Sequence, residues 1–586
     1  MKKNIFLLLF ALTYTFACKQ SDTKSTDQPI NRLTDQPTKI WWKEAVVYQI
    51  YPRSFADSNG DGIGDIKGII SKLDYIKSLG VDVVWLNPIY TSPNADNGYD
   101  VSDYENIGKE YGTMQDFDAL LKGMHERGIK LVMDMVVNHS SMEHKWFKAS
   151  RSSRTNPYRD YYHWWPAEKG KPTPRWSFFD VDANAWKYDS LTNAYYLHYF
   201  SYQQPDLNWE NPQLRQEVYK MMRFWRDKGI DGFRMDAFQY ASKDTTYPVF
   251  PDGYFKDIQN YYGKGPNLHA YIQEMNREVF AGHDLMTVAE GAGTTPQDAM
   301  LFVDPARHEL DIAYHFEGID IKINRDTNAF PRFNLPEMKR IYSHWDSGFA
   351  EKGWLSVFLA NHDQPRMLTH WGDDAPPFKE ISSKLLTTFV LTMRATTFYY
   401  YGDELGMSNI KFDKIEDYND ISTVNAYQAL KNAGGDLKKF LEDKKVFSRD
   451  NGRTPMQWNN TLNAGFSVGK PWLKVNPDYT TVNVAAQEKD PNSTLNYFRG
   501  LIKLRKTEPT LIYGKYTLLD KDNKQVYAYT RELDGKKLLV MLNFSDKPAA
   551  VTVSFDYKSG KILSDNYPTV SNGSVLRPYE ALILKL

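Results

Sequence analysis

From Trp41 onward, short runs of almost unbroken apolar residues alternate with longer stretches in which apolar residues recur every three or four positions. Val46–Tyr51, Val81–Leu86 and Lys130–Val137 are the first such runs. Between them, Ile66–Leu79 and Thr113–Arg127 have helical spacing, and each is closed by a glycine, Gly80 and Gly128. A strand that is apolar on both faces, followed by a helix and repeated, predicts a parallel sheet, closed or doubly wound. Five more runs continue the rhythm: Ile230–Met235, Leu285–Glu290, Glu309–Phe316, Trp354–Asp363 and Thr397–Tyr401. Eight strands with intervening helices predict an α/β fold, a (β/α)8 TIM barrel. Residues 140–206 break the pattern, with no long helical period, and read as a subdomain inserted after the third strand. From about Tyr513 the period becomes two, in Tyr527–Arg531, Lys537–Phe544, Ala550–Phe555 and Ala581–Leu586, which predicts a C-terminal antiparallel β-domain. The expected order is 1–17 leader, 18–38 tether, 39–139 barrel, 140–206 insert, 207–512 barrel, and 513–586 β-sandwich.

The leader is Met1-Lys-Lys-Asn followed by the apolar run Ile5–Ala17, too short to span a bilayer and built like a signal peptide. Cys18, the only cysteine, follows Ala17 and resembles the lipidated residue of a bacterial lipobox, although Thr15 stands where leucine is usual. The resemblance implies cleavage before Cys18, lipidation of that residue, and an exported lipoprotein in the periplasm or on the outer-membrane surface. Residues 19–38, rich in Ser, Thr, Asp, Gln, Lys and Pro, read as a solvated tether. A net charge of −1 argues against a nucleic-acid partner and leaves the lipid as the only expected membrane contact. The chain is expected to act as a monomer or weak dimer. Aromatics make up 15% of the chain, with 15 Trp and 39 Tyr. Such rings suit sugar binding, though many must be core.

Chemistry gathers at the strand ends. In Gly232-Phe-Arg-Met-Asp-Ala-Phe238, alternation puts Arg234 and Asp236 on one face. Burying both is costly unless they serve each other or a ligand. Either they form a structural pair, or Arg234 keeps Asp236 ionised as a nucleophile at the catalytic end of a barrel strand. The fifth run ends in Glu290 and the seventh in His362-Asp363, so three acids converge on the barrel's top face. The third run ends Asp134-Met-Val-Val-Asn138-His139, and the loop after the second, Ser92–Asp100, carries Asp96 and Tyr99. Asp57-Ser-Asn-Gly-Asp-Gly-Ile-Gly-Asp65 places oxygen side chains at positions 1, 3, 5 and 9 with glycines between them. Asp57, Asn59, Asp61 and Asp65, with the Ile63 carbonyl, read as ligands of a hard cation, Ca2+ rather than a redox metal, with a structural role. The alternative is an Asp/Gly turn without an ion.

Asp134–His139, Gly232–Asp236, Glu290 and Asn361–Asp363 resemble, in order and spacing, the short motifs of the α-amylase superfamily, glycoside hydrolase family 13. Gln204-Pro-Asp-Leu-Asn208 resembles a fifth motif in its oligo-1,6-glucosidase and α-glucosidase form, and Ser448-Arg-Asp-Asn-Gly-Arg453-Thr-Pro-Met-Gln-Trp458 with Gly465-Phe466 strengthens the oligo-1,6-glucosidase-like resemblance. The resemblance implies that Asp236 is the nucleophile, Glu290 the general acid/base and Asp363 the transition-state stabiliser. It further implies that Asp96, Tyr99, His139, Arg234, His362 and Arg453 bind a terminal glucose, that Phe200 lines the pocket, and that the 57–65 loop holds structural calcium, or magnesium. No organic cofactor is expected. The expected activity is retaining, exo-acting α-glucosidase on short α-1,4- or α-1,6-linked gluco-oligosaccharides. The rival is a sucrose or maltose isomerase or transglycosylase on the same scaffold. Ala237 departs from the valine of many α-1,6-specific relatives and leaves room for α-1,4 substrates.

Overall fold

The computed structural model describes residues 39–291, 293, 295–324, 330–350, 352–569 and 574–586. The leader, Cys18 and the tether lie outside the described residues. Eight parallel strands form one sheet: β1 (Val46–Ile50), β2 (Val83–Leu86), β3 (Lys130–Val136), β4 (Gly232–Asp236), β5 (Met286–Ala289), β6 (Ile312–Ala313), β7 (Ser356–Val357) and β8 (Thr396–Tyr400). Each pairs with the strands before and after it, and β8 returns to β1. The seam between β6 and β7 is closed by a parallel bridge, with the Ala313 amide donating to the Trp354 carbonyl at 3.1 Å. The barrel is therefore complete, as the alternation predicts.

Two strands are far shorter than their apolar runs. Glu309–Phe316 supplies only Ile312–Ala313 to the ladder, and Trp354–Asp363 only Ser356–Val357. Beyond these pairs the chain leaves the sheet and turns Tyr314, His362 and Asp363 towards the top face. Apolar character marks burial here and not strand pairing. The helices start where the sequence offers caps: Thr113 and Asp116 form a capping box for Met114–Glu126, and the Asn211 side chain caps Pro212–Asp227.

The insert contains a helix, Lys145–Ser152, and a three-stranded antiparallel sheet with Ala194–Leu197 between Trp164–Pro166 and Trp186–Asp189. After β8 the chain adds two mostly exposed helices, Ile421–Asn432 and Leu437–Phe447, which the apolar pattern does not single out. The C-terminal domain pairs five antiparallel strands between Lys515 and Lys585, with a separate two-stranded ribbon formed by Ala549–Ala550 and Val575–Leu576. Arg505 and Arg531, both fully buried, fasten it to the barrel. Their guanidiniums donate to the carbonyls of Leu391, Leu511 and Gly514 at 2.8–3.1 Å. Among the described residues, no helix is long and apolar enough to cross a membrane.

Candidate active site

Arg234 is the centre of the barrel's top. It is wholly buried on β4, where its neighbours in register are Asp134 of β3 and Val288 of β5. Its guanidinium donates to Asp134 Oδ1 at 2.8 Å, to Asp236 Oδ1 at 2.5 Å and to Glu290 Oε1, and it also reaches the Tyr314 hydroxyl at 3.0 Å. The Trp85 ring lies 5.1 Å from it. The strand ends at Ala237, whose φ of 46° turns its amide onto Glu290 Oε2 at 2.8 Å. Asp236 and Glu290 are thus held side by side across one guanidinium. A retaining glycosidase needs its two carboxyls close together, roughly 5–5.5 Å apart, and a shared guanidinium keeps this pair near one another.

One guanidinium cannot neutralise three carboxylates. Burial, then the Glu290 charge, pushes the Asp236 carboxyl up despite Arg234, and burial pushes Glu290 up as well. The expectation that Arg234 simply keeps Asp236 anionic is refined by this sharing: burial and like charge raise both carboxyls despite the guanidinium. The chemistry needs one carboxylate to attack and one acid to donate, and a raised Glu290 suits the second role.

Asp363 sits in the opposite electrostatic setting. Burial alone would raise it, but His362 Nε2 at 3.1 Å, Arg449 Nη1 at 3.0 Å and Arg453 Nη2 at 3.2 Å together hold it well below the usual carboxylate range. His362 is fixed by Gln49 Nε2 on its Nδ1 at 2.9 Å and by the Tyr99 ring, stacked at 5.1 Å. The Tyr99 hydroxyl donates in turn to Asp134 at 2.8 Å. Asp96 accepts from Arg449 at 3.3 Å and from Gln204 at 3.2 Å, and burial lifts it to about 6. His139 contacts the Tyr99 carbonyl at 3.1 Å, and burial lowers its pKa to about 3, so it stays neutral at working pH. Phe200 packs on His139 at 5.0 Å and on Phe178 at 5.1 Å.

These groups enclose a cavity of about 140 Å3. Ligand pockets for larger molecules run from roughly 300 Å3 upward, so the space suits a single ring held at its closed end. Asp96, Tyr99, His139, Phe200, Asp236, Glu290, His362 and Asp363 all line it. Two sequence-predicted binding residues do not. Arg234 lies beneath the carboxylates and positions them. Arg453 is 1% exposed, donates to the His362 carbonyl at 2.8 Å and braces Asp363 from behind. The guanidinium on the pocket wall is that of Arg449, tied to Asp363, Asp96 and Asp420 and lying 5.0 Å from the Phe179 ring. It was visible as the other arginine of Ser448–Trp458, but a linear motif does not say which of two arginines four residues apart faces the ligand. Phe178, Phe179, Tyr240 and Phe316 also line the cavity. They come from three separate segments and carry no local signal.

Arg449→Gln is expected to lower kcat/KM on disaccharides by roughly 10–100-fold, the range of a lost charged hydrogen bond of about 1.5–3 kcal/mol. Steady-state kinetics check this, and a change under threefold would remove Arg449 from the binding wall.

The cation loop is ordered by its own backbone. Asp57 Oδ1 accepts from the amides of Asn59 and Gly60 at 2.9 and 2.7 Å, and Oδ2 from Gly62 at 2.8 Å. Asn59 and Asp61 accept from Asp61 and Ile63 amides at 2.8 Å. Asp65 is buried, caps the following helix through Gly68 and accepts from Ser58. Among the described residues, no three His, Cys, Asp or Glu side chains converge as a ready metal group. The oxygen-only donors Asp57, Asn59, Asp61, Asp65 and the Ile63 carbonyl fit a hard cation in type, with Asp57 also serving turn amides and Asp65 also capping the helix.

A closed parallel barrel with two bridged carboxyls, a third acid held ionised, and a one-ring pocket is the equipment of a glycoside hydrolase. Residues 49–514 match the family described as alpha amylase, catalytic domain, and residues 516–583 match maltogenic amylase, C-terminal domain. The chain belongs to the α-amylase family and is a glycoside hydrolase. It is 48% identical to an oligo-1,6-glucosidase of Parageobacillus thermoglucosidasius over 94% of this chain and 99% of that one. It is 44% identical to an alpha-glucosidase of Pediococcus pentosaceus over 93% and 99%. Its fold is similar to the isomaltulose synthase SmuA from Protaminobacter rubrum, with a TM-score of 0.89 and 45% identity over 93% and 99% of the two chains.

Proposed function

We propose that the protein is a retaining, exo-acting α-glucosidase that releases glucose from the non-reducing ends of short α-1,4- and α-1,6-linked gluco-oligosaccharides. The observation that carries this is the Asp236–Arg234–Glu290 bridge at the closed end of a pocket for one ring. Asp236 attacks the anomeric carbon while Glu290 gives its proton to the departing oxygen. A covalent glucosyl–Asp236 ester results. Glu290, now anionic, takes a proton from water, which attacks the same carbon and frees glucose with its configuration retained. Asp363, kept ionised by His362 and the two arginines, holds ring hydroxyls as charge develops. Similarity to solved isomaltulose synthases keeps a second reading in view, in which the departing sugar and not water is the acceptor.

Product-resolved reactions on maltose, isomaltose, sucrose and trehalose test both readings. Free glucose from maltose and isomaltose is the expected result, and an isomerised disaccharide as the main product from sucrose would overturn hydrolysis as the principal activity. Ala237 lines the pocket beside Asp236. Ala237→Val is expected to depress maltose turnover relative to isomaltose by roughly tenfold, the lower range for one or two methyl groups in a tight pocket. An unchanged ratio would remove Ala237 from linkage selection.

The 57–65 loop supports a structural Ca2+ held by Asp57, Asn59, Asp61, Asp65 and the Ile63 carbonyl, an ion that would relieve the repulsion between neighbouring carboxylates. Chelation is expected to lower Tm by roughly 2–4 °C, restored by added Ca2+. A Tm indifferent to both would sink the site. The leader and Cys18 support an exported lipoprotein. Loss of membrane association in Cys18→Ser is the check on the anchor.

A further inference from the structure

A second cavity lies between the loop that follows β4 and the inserted subdomain. Its volume is about 290 Å3, twice that of the catalytic pocket. Tyr247, Phe250, Tyr261 and Tyr262 form much of its wall, with Ser242 and Asn260 among its polar groups. The rings are pinned: Tyr262 stacks on Tyr199 at 3.8 Å, and Phe250 contacts Tyr261 at 5.1 Å.

Three cations also face the cavity, and each is already committed. Arg175 donates to the Pro248 carbonyl at 2.5 Å and lies 4.1 Å from the Phe250 ring. Lys243 donates to Asn138 at 2.9 Å and to the Tyr240 carbonyl at 2.7 Å, and it pairs with Asp206 at 3.2 Å. Lys264 pairs with Asp298 at 3.4 Å. Asp244, exposed at the rim, adds an acceptor. Lys243 and Lys264 are each paired with a carboxylate, while Arg175 keeps its charge against the Phe250 ring and the Pro248 carbonyl. Beside that one cation the wall offers aromatic faces and neutral or acceptor polar groups, the composition that receives C–H faces and hydroxyls of an uncharged sugar.

The aromatic surface continues outward. Tyr247 packs against Trp165 at 6.2 Å, Trp165 pairs in register with Tyr195, and Tyr195 with Tyr188, which is 48% exposed. A row of rings thus runs from the cavity across the three-stranded sheet. It is separated from the catalytic pocket by little: Tyr199 on the second cavity packs edge-on to Tyr240, 6.4 Å away, on the wall of the first.

We propose that this cavity and its aromatic row form a second, non-catalytic binding site for neutral gluco-oligosaccharides. The site keeps a chain of several rings close to a catalytic pocket that itself accepts only one. The proposal rests on the gluco-oligosaccharide reading of the catalytic pocket.

Titration calorimetry of the full chain carrying Asp236→Asn, with maltotetraose and isomaltotriose as probes, tests it. Two binding events are expected. Adding Tyr261→Ala should weaken one by roughly tenfold, as loss of one aromatic contact of about 1.4 kcal/mol would do, and Tyr261→Trp should restore it. In the otherwise wild-type enzyme, Tyr261→Ala should leave hydrolysis of a small aryl α-glucoside unchanged, which separates site loss from misfolding. A single binding event, or two events both indifferent to Tyr261→Ala, would overturn the second site while leaving the catalytic reading intact. Binding of inorganic sulfate, and of no saccharide, at the Tyr261-dependent site would overturn the assignment to neutral sugars. No saccharide binding at either site would overturn the substrate class itself.

Discussion

Asp236→Asn is expected to lower kcat by a factor on the order of 10⁴ to 10⁶, the range seen when an enzyme loses its nucleophile, with the fold intact. The amide is nearly isosteric, and it can still accept from Arg234, so the barrel's core contacts survive. It cannot form a glucosyl ester that water will hydrolyse. A sharper form of the test is Asp236→Gly with added azide. The anion would enter the vacated space, attack the anomeric carbon from the face opposite the leaving group, and give β-glucosyl azide while the leaving sugar departs with the Glu290 proton. Mass spectrometry and NMR of that product would place the nucleophile on this face. Undiminished turnover of maltose by Asp236→Asn would refute the assignment.

Glu290→Gln carries the second large effect, and it depends on the leaving group. Hydrolysis of maltose, whose departing alkoxide needs a proton, should fall by roughly 10²–10⁴-fold, the usual contribution of general acid–base catalysis. A dinitrophenyl α-glucoside leaves without protonation, so its first step should persist and show a burst as the glucosyl ester accumulates. The pH dependence follows the same logic. Burial raises Glu290, so the acid stays protonated to higher pH than an ordinary glutamate and loses activity only as pH climbs through its raised pKa. Asp236 is raised too, by burial and then by Glu290, so the acid limb, where the nucleophile becomes protonated, also lies above the ordinary carboxylate range. The wild-type profile should be a bell displaced upward. In Glu290→Gln the alkaline limb for the dinitrophenyl substrate should disappear. Equal losses on both substrates would mean that Glu290 positions Asp236 and does not donate the proton.

The acids that gather at the barrel's top were legible because barrel strands deliver their last side chains to one face. A carboxylate at the end of an apolar strand has few structural reasons to be there; Asp236 and Glu290 occupy such positions, and Asp363 closes an apolar run that has left the ladder after Val357. The two-residue spacing of Arg234 and Asp236 puts both on the same face whatever the rest of the chain does. The strand–helix rhythm was legible for the same local reason: pleat and helix periods are properties of consecutive residues. Strand lengths were not. Glu309–Phe316 and Trp354–Asp363 are apolar along their length, but only two residues of each join the ladder.

The sequence by itself determined the family motifs, the eight-fold barrel, the inserted and C-terminal domains, and the three acids. Each of these is written in residues close together in the chain or in their order. Tertiary structure alone decided which arginine faces the pocket. Arg449 and Arg453 belong to one short segment, and only the approach of Asp96, Asp363 and Asp420, from loops tens to hundreds of residues away, pulls Arg449 to the wall and leaves Arg453 behind it. It also decided that Arg234 serves three carboxylates and not one. That sharing is set by the register of β3, β4 and β5, and the rise of the Asp236 and Glu290 carboxyls comes from burial and like charge, which act through space and leave no mark on local sequence.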